Sequence, residues 1–177
     1  MTKTLKLFAA VLIACLLQTE IAKYMRLFEI APDFMILFLV LISEEVGPFG
    51  GFCAGSLMSM FYDASVGYVL AINLVIYTFI GYAAPLLRNR MAKMLHRIKH
   101  RRALVLAILV FFLTFLREML YIGYLFLIGA QQGKVTIIRL FIACIYNALL
   151  VIPLIGIKAL LMHHEKTNTR LQAKGEL

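Results

Sequence analysis

Five ionisable side chains break the apolar stretches of this 177-residue chain: Asp33, Asp63, Arg117, Glu118 and Arg139, with Asn73 and Asn147 as polar company. Two aspartates within a membrane are the equipment of an aspartyl protease, but the glycine context that such acids carry is missing around Asp33 and Asp63. A serine nucleophile would need a histidine base within reach. The four histidines, His96, His100, His163 and His164, all lie outside the apolar stretches, among lysines and arginines. Each neighbouring cation also opposes a divalent metal there. Cys15, Cys53 and Cys144 are far apart, lack the paired spacing of a zinc or redox site, and read as small buried hydrophobes. The expectation is a protein that is not an enzyme and carries no metal or cofactor.

Buried polar groups in an apolar chain still need partners. Arg117 and Glu118 are adjacent, so they leave a helix on different faces and at least one requires a partner on another helix. Arg139 and Asn147 are eight residues apart, hence on one face. Arg117 lies about fourteen residues into its apolar stretch, about 21 Å along a helix at ~1.5 Å per residue. That depth is shared by Asp63 and Arg139 if alternate helices run in opposite directions. Asp63–Arg139 is the pairing this arithmetic favours.

The elements that must hold these groups are helices. The chain is 63% hydrophobic and 15% charged, with a mean hydropathy of +0.91. Soluble domains are roughly 45–50% apolar and about 25% charged, so the natural solvent of this chain is a bilayer. Six apolar stretches approach the ~17–25 residues a spanning helix needs: Leu5–Ala22, Ile30–Ser43, Pro48–Asp63, Val66–Leu87, Ala103–Gly129 and Val135–Met162. The second and third are short. Leu12–Cys15 resembles a lipoprotein cleavage box, but the apolar run continues past it and reads as a first helix. The fold expected is an all-α bundle of about six transmembrane helices over residues 1–164, followed by a short polar tail at 165–177.

Orientation follows from Lys and Arg in the connections. With the N-terminus inside, thirteen lie on the cytoplasmic side against three, Lys23, Arg26 and Lys134, outside. Both termini are therefore expected in the cytoplasm. The net charge of +9 reports topology in this reading, and no nucleic-acid surface is expected. Arg88, Arg90, Lys93, Arg97, Lys99, Arg101 and Arg102 form one basic cytoplasmic loop. Within it Met91, Met94, Leu95 and Ile98 fall at helical spacing, as in a short amphipathic helix lying on anionic lipid.

Gly47, Gly51, Gly55 and Ser59 recur every fourth residue, and Asp63 takes the next step. Helices in lipid associate by close backbone approach, which such a face permits. The face is expected to receive a helix of this chain or of a partner. Pro48 suits a helix's first turn.

The stretches "APDFMILFLVLI" (31–42), "GPFGGFCAGSLMSMFYDASVGYVLAINLVIYTFIGY" (47–82) and "RLFIACIYNALLVIPL" (139–154) resemble the rod shape-determining MreD family. That family has a Pro-Asp or Pro-Asn opening its second helix, here Pro32-Asp33. A glycine-rich helix ends in aspartate with glycine following, here Asp63 and Gly67. Its last span has an asparagine before a proline, here Asn147 and Pro153. The resemblance implies a non-catalytic subunit of the cell-elongation machinery in the bacterial cytoplasmic membrane. Its partners would be MreC and, in the same complex, RodA, a class B penicillin-binding protein and MreB. The family's fold also looks like the substrate-binding membrane subunits of energy-coupling-factor vitamin transporters, which is the alternative reading.

Overall fold

The computed structural model describes residues 3–27, 29–66, 72–94, 101–129 and 138–156. Those residues form helices and connections, with no β-strand among them. Helix α1 (Lys3–Leu16) runs into a π turn (Leu17–Ile21). Helices α2 (Phe34–Val66), α3 (Ile72–Met94), α4 (Arg101–Leu127) and α5 (Ile138–Gly156) follow. By length and composition three of them could cross a membrane, Phe34–Ala64, Ala103–Leu127 and Ile138–Gly156, the first counted across its break at Gly47.

Helix α2 is a hairpin. Gly47 has φ 79° and ψ −175°, a region that essentially only glycine occupies. A methyl group added at Gly51 would lie 2.7 Å from Ser43 Cβ. Eight residues along a straight helix span about 12 Å, so residues 34–46 and 48–66 must run back to back. Asp33 and Tyr62 line a common cavity for the same reason. The second and third apolar stretches are thus separate antiparallel helices, and Pro48 starts the second, where a missing N–H costs nothing. Gly47 belongs to the turn. No atom lies within 4 Å of a methyl group placed on it, so it takes no part in the packed glycine face on which its spacing would put it. Gly47→Ala meets no steric obstacle and should still lose about 1–3 kcal/mol, the cost of holding a non-glycine residue in this region. Thermal unfolding of the purified protein checks this.

The first half of α2 is the axis of the bundle. Phe34, Met35, Ile36, Leu37, Leu39, Val40, Ile42 and Ser43 are all buried, so it is apolar on every face and surrounded by protein. Its shortness as a spanning segment follows: it does not face lipid. The other helices each bury one stripe. On α3 this comprises Asn73, Ile76, Tyr77, Ile80, Gly81, Ala84 and Pro85; on α4 it includes Val105, Leu106, Leu109, Val110 and Leu113; on α5 Leu140, Cys144, Asn147 and Val151. Large apolar side chains such as Phe79, Phe112, Phe126, Ile145 and Leu149 point outward, as a bilayer solvent allows. Of the cysteines expected to be buried, Cys15 and Cys144 are, whereas Cys53 is exposed on that outer face.

The two ends of the bundle differ. Glu44, three residues before the hairpin tip, pairs with Arg88 near the end of α3 at 2.7 Å, their side chains 6% and 31% exposed. At the other end Asp63 accepts a hydrogen bond from Asn73 Nδ2 at 2.7 Å, joining the end of α2 to the start of α3. The basic segment departs from the expected separate loop helix. Arg88, Arg90 and Lys93 occupy the last turns of α3 itself, and Arg101 and Arg102 open α4. Met91 packs half-buried against the core. Arg97, Lys99, all four histidines and the expected tail at 165–177 lie outside the described residues.

Candidate functional site: a polar hub at the buried start of helix α2

A helix that begins inside a bundle carries N–H groups that water cannot reach, and each must find a partner. Helix α2 begins this way, and polar residues from distant parts of the chain meet its first turn. Asp33 caps it: Oδ1 accepts from Ile36 N–H at 3.0 Å, the usual N-cap geometry. The Phe34 N–H donates to Gln18 Oε1 at 2.7 Å, from the π turn after α1. The Asp33 N–H donates to Asn147 Oδ1 at 2.9 Å, from α5. Asn147 Nδ2 in turn donates to Thr114 Oγ1 on α4 at 3.3 Å.

The remaining oxygen of Asp33 faces donors. Tyr77 on α3 donates its hydroxyl to Oδ2 at 2.9 Å. Arg117 Nε lies 3.7 Å from the same oxygen, near enough for charge pairing and too far for a hydrogen bond. The Arg117 guanidinium also bonds Glu118 through Nη1 and lies 5.6 Å from the ring centroid of Tyr121. The carboxylate of Asp33 thus sits at the positive end of α2 with a cation beside it. Helices α3, α4 and α5 meet Asp33 itself, and the π turn meets the next residue, Phe34.

Several expectations change here. Arg117 does satisfy Glu118: long side chains on adjacent residues curl toward each other, although their Cβ atoms diverge. The predicted partner on another helix also exists, and it is Asp33. Asp63 and Arg139 do not pair. Asp63 is taken by Asn73, and Arg139 Nη2 meets Glu29 Oε2 at 3.1 Å, with side chains 46% and 85% exposed. A shared depth cannot specify the neighbour. Asp33, Arg117, Glu118, Arg139 and Asn147 all line one cavity of about 360 Å³, together with Gln18 and Tyr62.

The glycine face packs within the chain. Carbonyl oxygens of α3 occupy the places where side chains at Gly51 and Gly55 would be: that of Gly81 at Gly51, that of Tyr77 at Gly55, and reciprocally that of Gly51 at Gly81. Ser59 is buried on the same face and bonds back to Gly55 O and Ser56 O, each at 2.9 Å. Ser56 and Thr78 hydroxyls meet across the interface at 2.9 Å.

Gln18, Tyr77, Thr114 and Gly81 are the participants sequence reasoning missed. Gln18 carried a signal, being a lone amide near the end of an apolar run. Gly81 stands four residues from Tyr77 and from Pro85, a weaker version of the spacing in α2. Tyr77 and Thr114 look like ordinary membrane sequence, and only the hub gives them a role. No family model, curated protein or solved structure matches this chain.

Proposed function

We propose that this chain is a non-catalytic, multi-pass subunit of the bacterial cell-elongation complex, of the MreD kind, in the cytoplasmic membrane. Six crossings place both termini and the hairpin tip on the cytoplasmic side, with the polar hub toward the outside. The observation that carries the reading is the coincidence of the family-like residues with structural junctions. Pro32-Asp33 opens the axial helix, Asn147 closes on its first turn, and Gly51 and Gly55 admit α3. A protein built around one fixed axial helix suits a scaffold that holds partners in register, here MreC together with RodA, its penicillin-binding protein and MreB.

Affinity capture of the full chain from native membranes, with partners identified by mass, tests it. A co-purifying coiled-coil protein of the MreC type and a rod-shape defect on depletion are expected. The cavity favours a second reading, a substrate-binding subunit of an energy-coupling-factor transporter, for which a pair of ATPases would be captured instead. Topology is tested separately. Reporters fused after Arg102 and Leu177 are expected in the cytoplasm and one after Gln132 outside; an outside signal at either basic site overturns the orientation.

A further inference from the structure

The 360 Å³ cavity beside the hub has a charge pattern that extends past the hub to Arg139. Its charged side chains lie at two levels. Asp33 and Arg117 are at the floor, 8% and 20% exposed, with Glu118 beside them at 25%. Arg139, the second residue of α5, is half-exposed at the far end. The lining thus holds two guanidinium groups and two carboxylates, whose charges balance. A bare anion entering would meet Asp33 and Glu118, and a bare cation would meet Arg117 and Arg139. A group carrying both charges meets neither penalty when its ends are correctly placed.

The two ends can be assigned. Arg117 is held by Asp33 and Glu118. Arg139 is held by Glu29, which is almost fully in solvent, and such exposed pairs are worth little, so its guanidinium exchanges partners readily. Glu118 has a carboxylate with more acceptor sites than Arg117 fills. Ile30, Ile122, Leu140 and Ala143 supply the apolar walls between. At about 360 Å³ the space lies at the small end of ligand sites, which run from about 300 to 1,000 Å³. It suits a headgroup and no whole cofactor. We infer that this cavity binds an ammonium-bearing zwitterion, with its ammonium on Glu118 and its phosphate or carboxylate on Arg139. Either a lipid headgroup or a free solute of this kind carries the required chemistry, and the site holds under both readings of the protein's function.

The test uses the full chain in nanodiscs and reads thermal unfolding and binding. Phosphatidylethanolamine is compared with phosphatidylcholine, which lacks ammonium N–H groups, and with phosphatidylglycerol, which lacks the cation. Soluble O-phosphoethanolamine and inorganic phosphate are added separately to phosphatidylcholine discs. Stabilisation specific to phosphatidylethanolamine identifies a lipid source, and stabilisation by O-phosphoethanolamine a soluble one; either supports the site. Arg139→Gln and Glu118→Gln should each weaken binding about tenfold, as loss of one charge-assisted hydrogen bond does. Arg90→Gln, exposed at the opposite end of the bundle, should bind as wild type. The inference fails if inorganic phosphate binds as well as O-phosphoethanolamine, if the three lipids stabilise equally and neither soluble probe binds, or if the Arg139 and Glu118 variants bind like the wild type.

Discussion

Gly51→Leu is expected to lower the unfolding temperature by about 6–12 °C, taking a loss of about 3 kcal/mol and ~2–4 °C per kcal/mol for a chain of this size. Overpacking a tight core generally costs about 1–3 kcal/mol. The upper end applies because the atoms in the way are backbone: the Gly81 carbonyl stands where the new side chain must go. A neighbouring side chain can rotate aside, whereas a carbonyl moves only with its helix. Gly81→Leu should do the same from the other side, since the Gly51 carbonyl blocks it. The two glycines touch each other, so the double variant should fall short of the sum of the singles, because one separation of α2 from α3 relieves both clashes. Phe52→Leu, on the outward face, is the control and should unfold with the wild type. Unfolding of both glycine variants at the control temperature would show that this approach is not a fixed feature of the protein.

That result bears on what the sequence could disclose. Helices, their approximate limits and the small-residue face follow from local pattern, because hydrophobic length and a four-residue step are properties of a single segment. The identity of the facing surface is not such a property. Gly81 sits in a run where aromatic and β-branched residues dominate, and its role exists only once α2 has folded back on itself. Gly47 shows the opposite hazard. It falls on the four-residue step together with Gly51 and Gly55, yet it is there to turn the chain; glycine serves both purposes, and spacing does not tell them apart. Most of the polar residues, five of which line one cavity, were legible as a group. Their pairing was not, because Asp33 lies at a break between helices, where its backbone as well as its side chain has bonding needs. Asn147 and Gln18 answer those backbone needs, and no rule matching charge with charge would have chosen them.

The second large effect should come from that hub. Arg117→Gln is expected to cost about 3–5 kcal/mol, because it strands the carboxylates of Asp33 and Glu118, and Asp33→Asn less, because Arg117 keeps Glu118. The two substitutions damage different bonds. Asparagine caps helices about as well as aspartate, so the Ile36 N–H stays satisfied through Oδ1. Its amide nitrogen cannot accept from Tyr77 or attract Arg117, which now faces only Glu118. Glutamine at 117 leaves the caps and the Tyr77 bond in place but removes the cation from both Asp33 and Glu118. The double variant buries one charge pair fewer, so it should be no less stable than the worse single, with a coupling in the range of about 0.5–3 kcal/mol for residues in contact. Lys23→Gln breaks an ion pair with Glu20 whose side chains are 44% and 65% exposed, and it should change little, as exposed pairs do. Thermal unfolding of the four variants, with the amount of each that accumulates in membranes, makes the comparison. If the Asp33 and Arg117 defects simply add, the two charges do not support each other. If neither single differs from Lys23→Gln, the hub is not what holds the start of α2 in place.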